Sequence, residues 1–405
     1  NKRDVFTTTD LRRVMDRTDV DVVVIATCNH WHGPAAVWAC QAGKDVYVEK
    51  PVSHSLHEGT LMVAAAKQYG RIMQAGTQYR SDPGLRAVAE YIREGRLGKM
   101  LWGHVLWYEQ RGSIGKKAPW TPDGLDYDLY CGPAPCEPLT RNKLHYDWHW
   151  VWSTGDGDLA NSGIHAFDVC RMLAGYDHLP QRSFCVGGRF AVNDAGQTPN
   201  TQLTVLDYEP APIVIENRNL PAKKGVRGMD QLKGVREGII FQCEQGYFAG
   251  FRGGGWVYDN QGKRIKQFVG DGGRSHTANF IEAVRERKTE ILNAPIQQGH
   301  ISSAVCHLGN LSYRLGQNTS KEAILAKIGE RALARETFAR LETHLQANEV
   351  DIAKTPMKLG PWLTLDQDKD KITHCDGRSD SDILKRAQTL ARGSYRKPFT
   401  LDANV

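Results

Sequence analysis

Val22-Val23-Val24-Ile25-Ala26-Thr27-Cys28-Asn29-His30-Trp31-His32, read with the later turn Glu49-Lys50-Pro51, decides the fold. An unbroken β-branched run of this length fits a parallel strand buried on both faces. A polar turn follows it at once, and then a helix from Pro34 to about Ala42. Proline suits a first helical turn, where its missing N–H would have had no partner, and Gly43 suits the C-terminal cap. Asp45–Glu49 reads as the next strand, Leu56–Tyr69 as a helix closed by Gly70, and Arg71–Ala75 as a third strand. Upstream, Thr9 and Asp10 offer an N-cap for a short helix through Leu11, Val14 and Met15. Strands alternating with helices across short links are the mark of a doubly wound α/β sheet, in which ligands sit beyond the carboxyl ends of the strands.

The texture changes near Leu101. A strand-like run through Val105 and Tyr108 leads into a long Gly/Pro/aromatic stretch from Arg111 to Thr154, then a helix over Leu159–Leu173. Strand patterns dominate from Ser183 to Phe268, and helices are expected over Phe280–Arg287 and Ile301–Leu315. A large, mostly antiparallel sheet carrying a few helices makes this an α+β domain. Three regions are therefore expected: a dinucleotide-type α/β domain over 1–100, the α+β domain over 101–316, and an extension over 317–405. That extension reads as one helical stretch, Ala323–Leu345, which needs a surface such as a partner subunit to bury against, and then an irregular polar end.

Composition narrows the function classes. The chain has 405 residues, 40% hydrophobic and 24% charged, enough for two separate cores. A net charge of +6 without basic–aromatic clusters argues against a nucleic-acid partner, and the run Val22–Ala26 is far too short to span a bilayer. The nine cysteines are scattered without a Cys-x-x-Cys, so they read as free thiols and not as a zinc site or disulfide frame. Only His145 and His149 have helical ligand spacing, in an irregular aromatic segment, and no metal is expected.

Three loops follow apolar strands directly: Thr27–His32, Glu49–Pro51 and Gly76–Arg80. Lys50 is the sharpest residue, because Pro51 restricts its backbone at the end of a buried strand. A lysine whose pKa has fallen there could exchange a proton with a substrate hydroxyl, although a surface lysine would carry the same letters. His145, Tyr146, Trp148, His149, Trp150 and Trp152 precede the helix at Leu159. Flat rings with polar edges suit pyranose faces, and packing of the loop against the sheet is the alternative.

These tokens together resemble the Gfo/Idh/MocA oxidoreductase family: Ala26-Thr27-x-Asn29-His30-x-His32, Glu49-Lys50-Pro51, Gly76-Thr77-Gln78, Leu97-Gly98-Lys99, Gly157-Asp158-Leu159-x-Asn161-x-Gly163-x-His165-x-x-Asp168 and His276-x-x-Asn279-Phe280. The resemblance implies hydride transfer between a nicotinamide cofactor, NAD or NADP with NAD favoured, and a hydroxyl of a sugar or glycoside. It implies cofactor contacts from Thr27, Asn29, His30, His32, Glu49, Lys50 and Gln78, and catalytic roles for Lys50, His165 and Asn161. Substrate contacts are expected from His145, Tyr146, Trp148, His149, Asp158 and Asp168, with Asp158 open to the alternative of a helix N-cap. Many members carry an aspartate where Asn161 stands, and an amide cannot take a proton in its place. Two other outcomes fit the same fold: a glycoside-cleaving enzyme that oxidises C3 transiently and eliminates the aglycone, or a non-catalytic sugar-binding homologue. A homodimer or homotetramer is the implied assembly. The wording around Leu144–Trp150 resembles a subgroup whose members often carry a twin-arginine signal, so the expected compartment is the cytoplasm, or the periplasm after export.

The glycine turn G-x-G-x-x-G, which cradles the dinucleotide phosphates after a first strand, is absent before Asp10. The expectation is a piece of a longer chain lacking roughly 50 or more residues of its first βαβ elements, the alternative being loss of cofactor binding.

Overall fold

Residues 5–401 are described by a computed structural model. Strands β1 (Val22–Ile25), β2 (Asp45–Val48) and β3 (Met73–Ala75) pair in parallel in that order, with Val23 opposite Val46 and Val48 opposite Ala75. All three therefore end at one edge, where the polar loops leave. The helices His32–Gln41 and Leu56–Gln68 supply the crossovers. Pro34 lies in the first turn of the former, and Gly43 leaves it at φ +75°. Ser55 caps the latter by accepting from the Glu58 amide, while Glu58 reaches back to the amide of His54. Burial of β1 on both faces does not hold. Among the described residues it pairs only with β2, and Val24 is 67% exposed, whereas β2 and β3 are enclosed. Branched side chains specify an extended segment, but a strand's neighbours decide which faces are covered.

The second sheet has twelve strands. They are β4 (Met100–Tyr108), β5 (Arg182–Gly188), β6 (Thr201–Asp207), β7 (Ile213–Arg218), β8 (Glu237–Cys243), β9 (Gly246–Phe251), β10 (Gly254–Tyr258), β11 (Arg264–Val269), β12 (Gln317–Thr319), β13 (Met357–Leu359), β14 (Leu363–Asp366) and β15 (Lys371–Cys375). The order is β11-β10-β9-β8-β4-β7-β6-β5-β13-β12, with β14 also on β5 and β15 on β14. Only the β4/β7 pairing is parallel, so the sheet is mostly antiparallel as the patterns predict. Helices Ile164–Ala174 and Ile296–Leu315 cover one face, joining Phe167, Leu173, Ile301 and Leu308 to Val105, Ile215 and Phe241 in one core.

The region after residue 316 is not an appended extension. β12, β13, β14 and β15 enlarge the second sheet, and two helices, Lys321–Ile328 and Ala332–Ala347, replace the single expected stretch. Phe338, Leu341 and Leu345 pack on Phe184, Val186, Leu203 and Val205, so this helix buries its apolar stripe against its own sheet and not a partner. The final helix, Asp382–Arg392, returns to the first core through Leu384 and Ala387. No described helix is long and apolar enough to cross a membrane.

Candidate active site

The carboxyl edge of the parallel sheet brings Thr27, Glu49, Lys50 and Gln78 together, one loop from each strand. Close approach is built into this edge: a Cβ on Gly76 would lie 2.8 Å from Glu49 Oε2 and 3.0 Å from its Cα. The Glu49 carboxyl is partly enclosed, and burial raises its pKa against the pull of Lys50. Thr27 lies open at the exposed rim, while Asn29, His30 and His32 turn inward. Asn29 Nδ2 donates to Asp156 at 3.1 Å. His30 Nε2 meets the Tyr130 oxygen at 2.9 Å, and His32 lies between the Pro51 oxygen (2.6 Å) and the Thr27 oxygen (3.1 Å). Burial pushes both histidines down to about 4, so each is a neutral ring donating through one nitrogen. Geometrically they brace the loops; His32 in particular ties the end of β1 to the Lys50–Pro51 turn, which contains a cis peptide bond.

Lys50 crosses to the second domain. Its Nζ donates to the main-chain oxygen of Asn161 at 2.5 Å. Burial lowers the lysine pKa, opposed first by Glu49 and then by Asp158. The helix expected over Leu159–Leu173 begins as a π turn, Leu159–Gly163, before the α-helix Ile164–Ala174. That wider turn changes the rotation between Asn161 and His165, so ordinary i,i+4 spacing no longer relates them. The Asn161 side chain turns to Asp158 instead, donating to Oδ1 at 3.2 Å. His165 Nδ1 is buried without a partner, its ring edge-on to Tyr79 at 5.2 Å. Burial, and then the nearby Lys50 charge, lower its pKa well below the ordinary histidine value.

Asp158 stands at the N-cap position of the π turn, but its side chain makes no capping bond. It receives Arg111 through Nε and Nη2 (both 3.1 Å) and Asn219 Nδ2 at 2.6 Å, with Glu109 completing the ion pair to Arg111. Arg111 also lies over the rings of Tyr146 and Trp150. His145 and Tyr146 are exposed, Trp148 stacks on His149 at 3.6 Å, and His149 contacts the Tyr146 oxygen at 2.6 Å. Gly155 permits this packing, since a Cβ there would lie 2.5 Å from His149 Cα. The segment thus divides, with His149 and Trp150 packed inward and Tyr146 presented at 44% exposure.

Asp168 does not face this site. It is 1% exposed and held by Arg80 Nε at 2.9 and 2.8 Å and by Ser302 at 2.6 Å. The expected substrate contact is therefore replaced by a buried strut between the two domains. The period-3.6 pattern places Asp168 on the same helix as His165 but does not state which way it points. Arg111, Asp156, Glu109 and Asn219 are the members the sequence reading missed. Asp156 stands in the Gly155-Asp156-Gly157-Asp158 run, and its acidic spacing was a usable signal.

Comparison with known proteins fits this architecture. Residues 1–77 match a family model described as an oxidoreductase family with an NAD-binding Rossmann fold, and residues 101–216 match that family's C-terminal alpha/beta domain. A levoglucosan dehydrogenase of Pseudarthrobacter phenanthrenivorans is 26% identical over 258 residues, 59% of this chain and 59% of its own length. A 2,7-anhydro-N-acetylneuraminate hydratase of Mediterraneibacter gnavus is 33% identical over 112 residues, 27% of this chain and 30% of its own. The chain thus spans about three-fifths or less of the curated relatives it matches. A levoglucosan dehydrogenase solved with NADH and levoglucosan superposes with a TM-score of 0.55 at 20% identity, over 74% of this chain and 80% of the other, a likeness of fold. With both domain models matched in order and the two sheets arranged as described, the chain belongs to the Gfo/Idh/MocA family of oxidoreductases.

Proposed function

We propose that the protein oxidises or reduces a hydroxyl carbon of a sugar or glycoside with a nicotinamide dinucleotide, NAD before NADP. The observation that carries this reading is Lys50, half-buried at the carboxyl edge of the parallel sheet with its amine reaching the π turn that leads to His165. Bound nicotinamide supplies a hydride acceptor or donor. The residues that fit its reactive end are Asn29, Glu49, Lys50 and Gln78, and the unpartnered His165 Nδ1 leaves polar capacity there.

Lys50, its pKa lowered by burial, takes the hydroxyl proton in oxidation and returns it in reduction. His165 enters as a neutral ring that orients the hydroxyl, since burial opposes its charging. Asn161 positions Lys50 through its carbonyl and Asp158 through its amide; it holds no proton. Arg111 and Asp158, beside the exposed Tyr146 and His145, form a polar wall with an aromatic face suited to sugar hydroxyls. We further propose a homodimer or homotetramer, which light scattering measures directly.

A second reading is glycoside cleavage without net redox change. The hydratase name of one relative supports it, because that name describes no net oxidation. The test is to identify dinucleotide bound to the full-length protein by mass spectrometry and then to add a panel of glycosides. Accumulating reduced nicotinamide with an oxidised sugar supports the first reading. Product release with no change in nicotinamide absorbance supports the second, and absence of both bound dinucleotide and turnover refutes both.

A further inference from the structure

Apart from the Lys50 edge, a cavity of about 460 Å³ lies between segments 133–137, 151–153 and 389–395. Lys50, Asn161 and His165 do not line it. Arg314, near the end of helix Ile296–Leu315, does, with its guanidinium carbon 5.2 Å from the centre of the Trp152 ring. Other enclosed arginines have acceptors: Arg80 holds Asp168, Arg111 Asp158, Arg189 Asp194 and Arg218 Glu216, while Arg141 donates to the Lys143 and Leu144 oxygens and the Tyr130 hydroxyl. Arg314 is half-buried, yet among the described residues it makes no hydrogen bond or ion pair, and burial lowers its pKa against a distant pull from Asp156. Asp156 is already engaged by Asn29, with His54 and His307 within 3.8 and 3.6 Å. The enclosed carboxyl on the wall, Glu58, accepts from the His54 amide at 2.6 Å, and burial raises its pKa toward the neutral form.

A partly desolvated guanidinium keeps its planar fork of donors and lacks only an acceptor. We propose that this cavity binds a small organic anion whose carboxylate or phosphate is forked by Arg314, its body lying along Pro133 and Leu390. A volume of this size suits a molecule as large as a monosaccharide acid. The wall segment 151–153 runs on into Thr154, whose oxygen faces His30, and then into Asp156 and Asp158. An occupant would therefore steady the strip of chain that braces the Asn29 loop.

Calorimetric titration of the purified protein with glucuronate, glucose 6-phosphate and neutral glucose tests the proposal, and its readout does not depend on turnover. Binding of glucuronate alone assigns a carboxylate, binding of glucose 6-phosphate alone a phosphate, and glucose is expected not to bind at this site. Arg314→Gln should weaken the anion by at least about tenfold, and Arg314→Lys, which keeps a charge but loses the fork, by a smaller factor. Lys50→Ala should leave the affinity unchanged, which separates this cavity from the edge proposed for the hydroxyl. No binding of either anion, equal affinity in both Arg314 variants, or loss of binding in Lys50→Ala overturns the proposal.

Discussion

Replacing Asp168 by asparagine keeps the shape of the side chain and removes its charge. The wild-type carboxylate lies 2.8–2.9 Å from Arg80 Nε, 2.6 Å from Ser302 Oγ and 3.7 Å from Arg171 Nη2. Side-chain exposures in this group are 9% for Arg80, 1% for Asp168 and 0% for Arg171. The variant leaves two enclosed guanidinium groups facing an amide. Arg171 keeps the Tyr176 and Gln298 oxygens, but among the described residues Arg80 has no other acceptor, and its Nη2 is already unpartnered. Breaking one side of a buried pair costs about 3–5 kcal/mol, which is a large part of a typical folding stability of about 5–15 kcal/mol. The melting temperature should fall by roughly 4–6 °C, taking an unfolding entropy of roughly 2.1 cal/mol/K per residue over the 405-residue chain. Thermal and urea unfolding of Asp168→Asn measure this, and steady-state kinetics below the transition should show KM within about twofold of wild type. Changing both partners, Arg80→Met with Asp168→Leu, should recover part of the loss, since no unpaired charge then remains on either side. An unchanged melting temperature with a selectively raised KM would refute the strut and return Asp168 to the substrate.

Lys50→Ala should lower turnover by about two to four orders of magnitude with an unaltered melting curve, the range for losing a positioned acid–base group; turnover near wild type removes Lys50 from the chemistry. Asn161→Asp would set a second carboxylate beside Asp158, where Nδ2 and Oδ1 now lie 3.2 Å apart. Repulsion should raise the pKa of one of the pair and shift the acidic limb of the pH–rate profile upward, and an unmoved limb speaks against that contact. His30, His32 and His149 are each held down to about 4, chiefly by burial. Between about 6.5 and about 4 the unfolded chain takes up protons that the folded rings refuse, so stability falls as the pH falls through that window, by up to about 3 kcal/mol per ring. Urea midpoints that stay level from pH 7 to pH 4.5 would contradict neutral rings.

The architecture was readable where one local rule and the tertiary result agree. The βαβ alternation, the Pro34 start and the Gly43 stop each act within a few residues, and they appear where the pattern places them. The helix Pro83–Arg93 was passed over although Asp82 caps it and proline begins it, a plain start signal. The tail was misread for a different reason. Residues 357–375 are short strands whose pairing partner, β5, lies far back in the chain, and no periodicity in segments of three to five residues reports such a partner. Likewise, the apolar stripe at Phe338, Leu341 and Leu345 correctly demanded a surface, but a stripe cannot say whose surface.

The site divides along the same line. Lys50 was legible because Pro51 and the preceding strand fix it locally. Asp158 and Asp168 were legible only as carboxylates near one helix, and their functions separate on contacts made by Arg111 and Arg80, each distant in sequence. The π turn sharpens this point. In the sequence, Asn161 stood for an amide that cannot take a proton where the resemblance implies an aspartate. In the folded chain the Asn161 carbonyl, which any residue would supply, holds the Lys50 amine, and the amide connects to Asp158. The negative charge felt by Lys50 comes from Glu49 first, then Asp158 and Glu109. A carboxylate missing at one position of the motif is thus offset by another three residues earlier. Loss of an acid at position 161 is therefore no argument for loss of chemistry while Asp158 stays ion-paired with Arg111 beside the Lys50 amine.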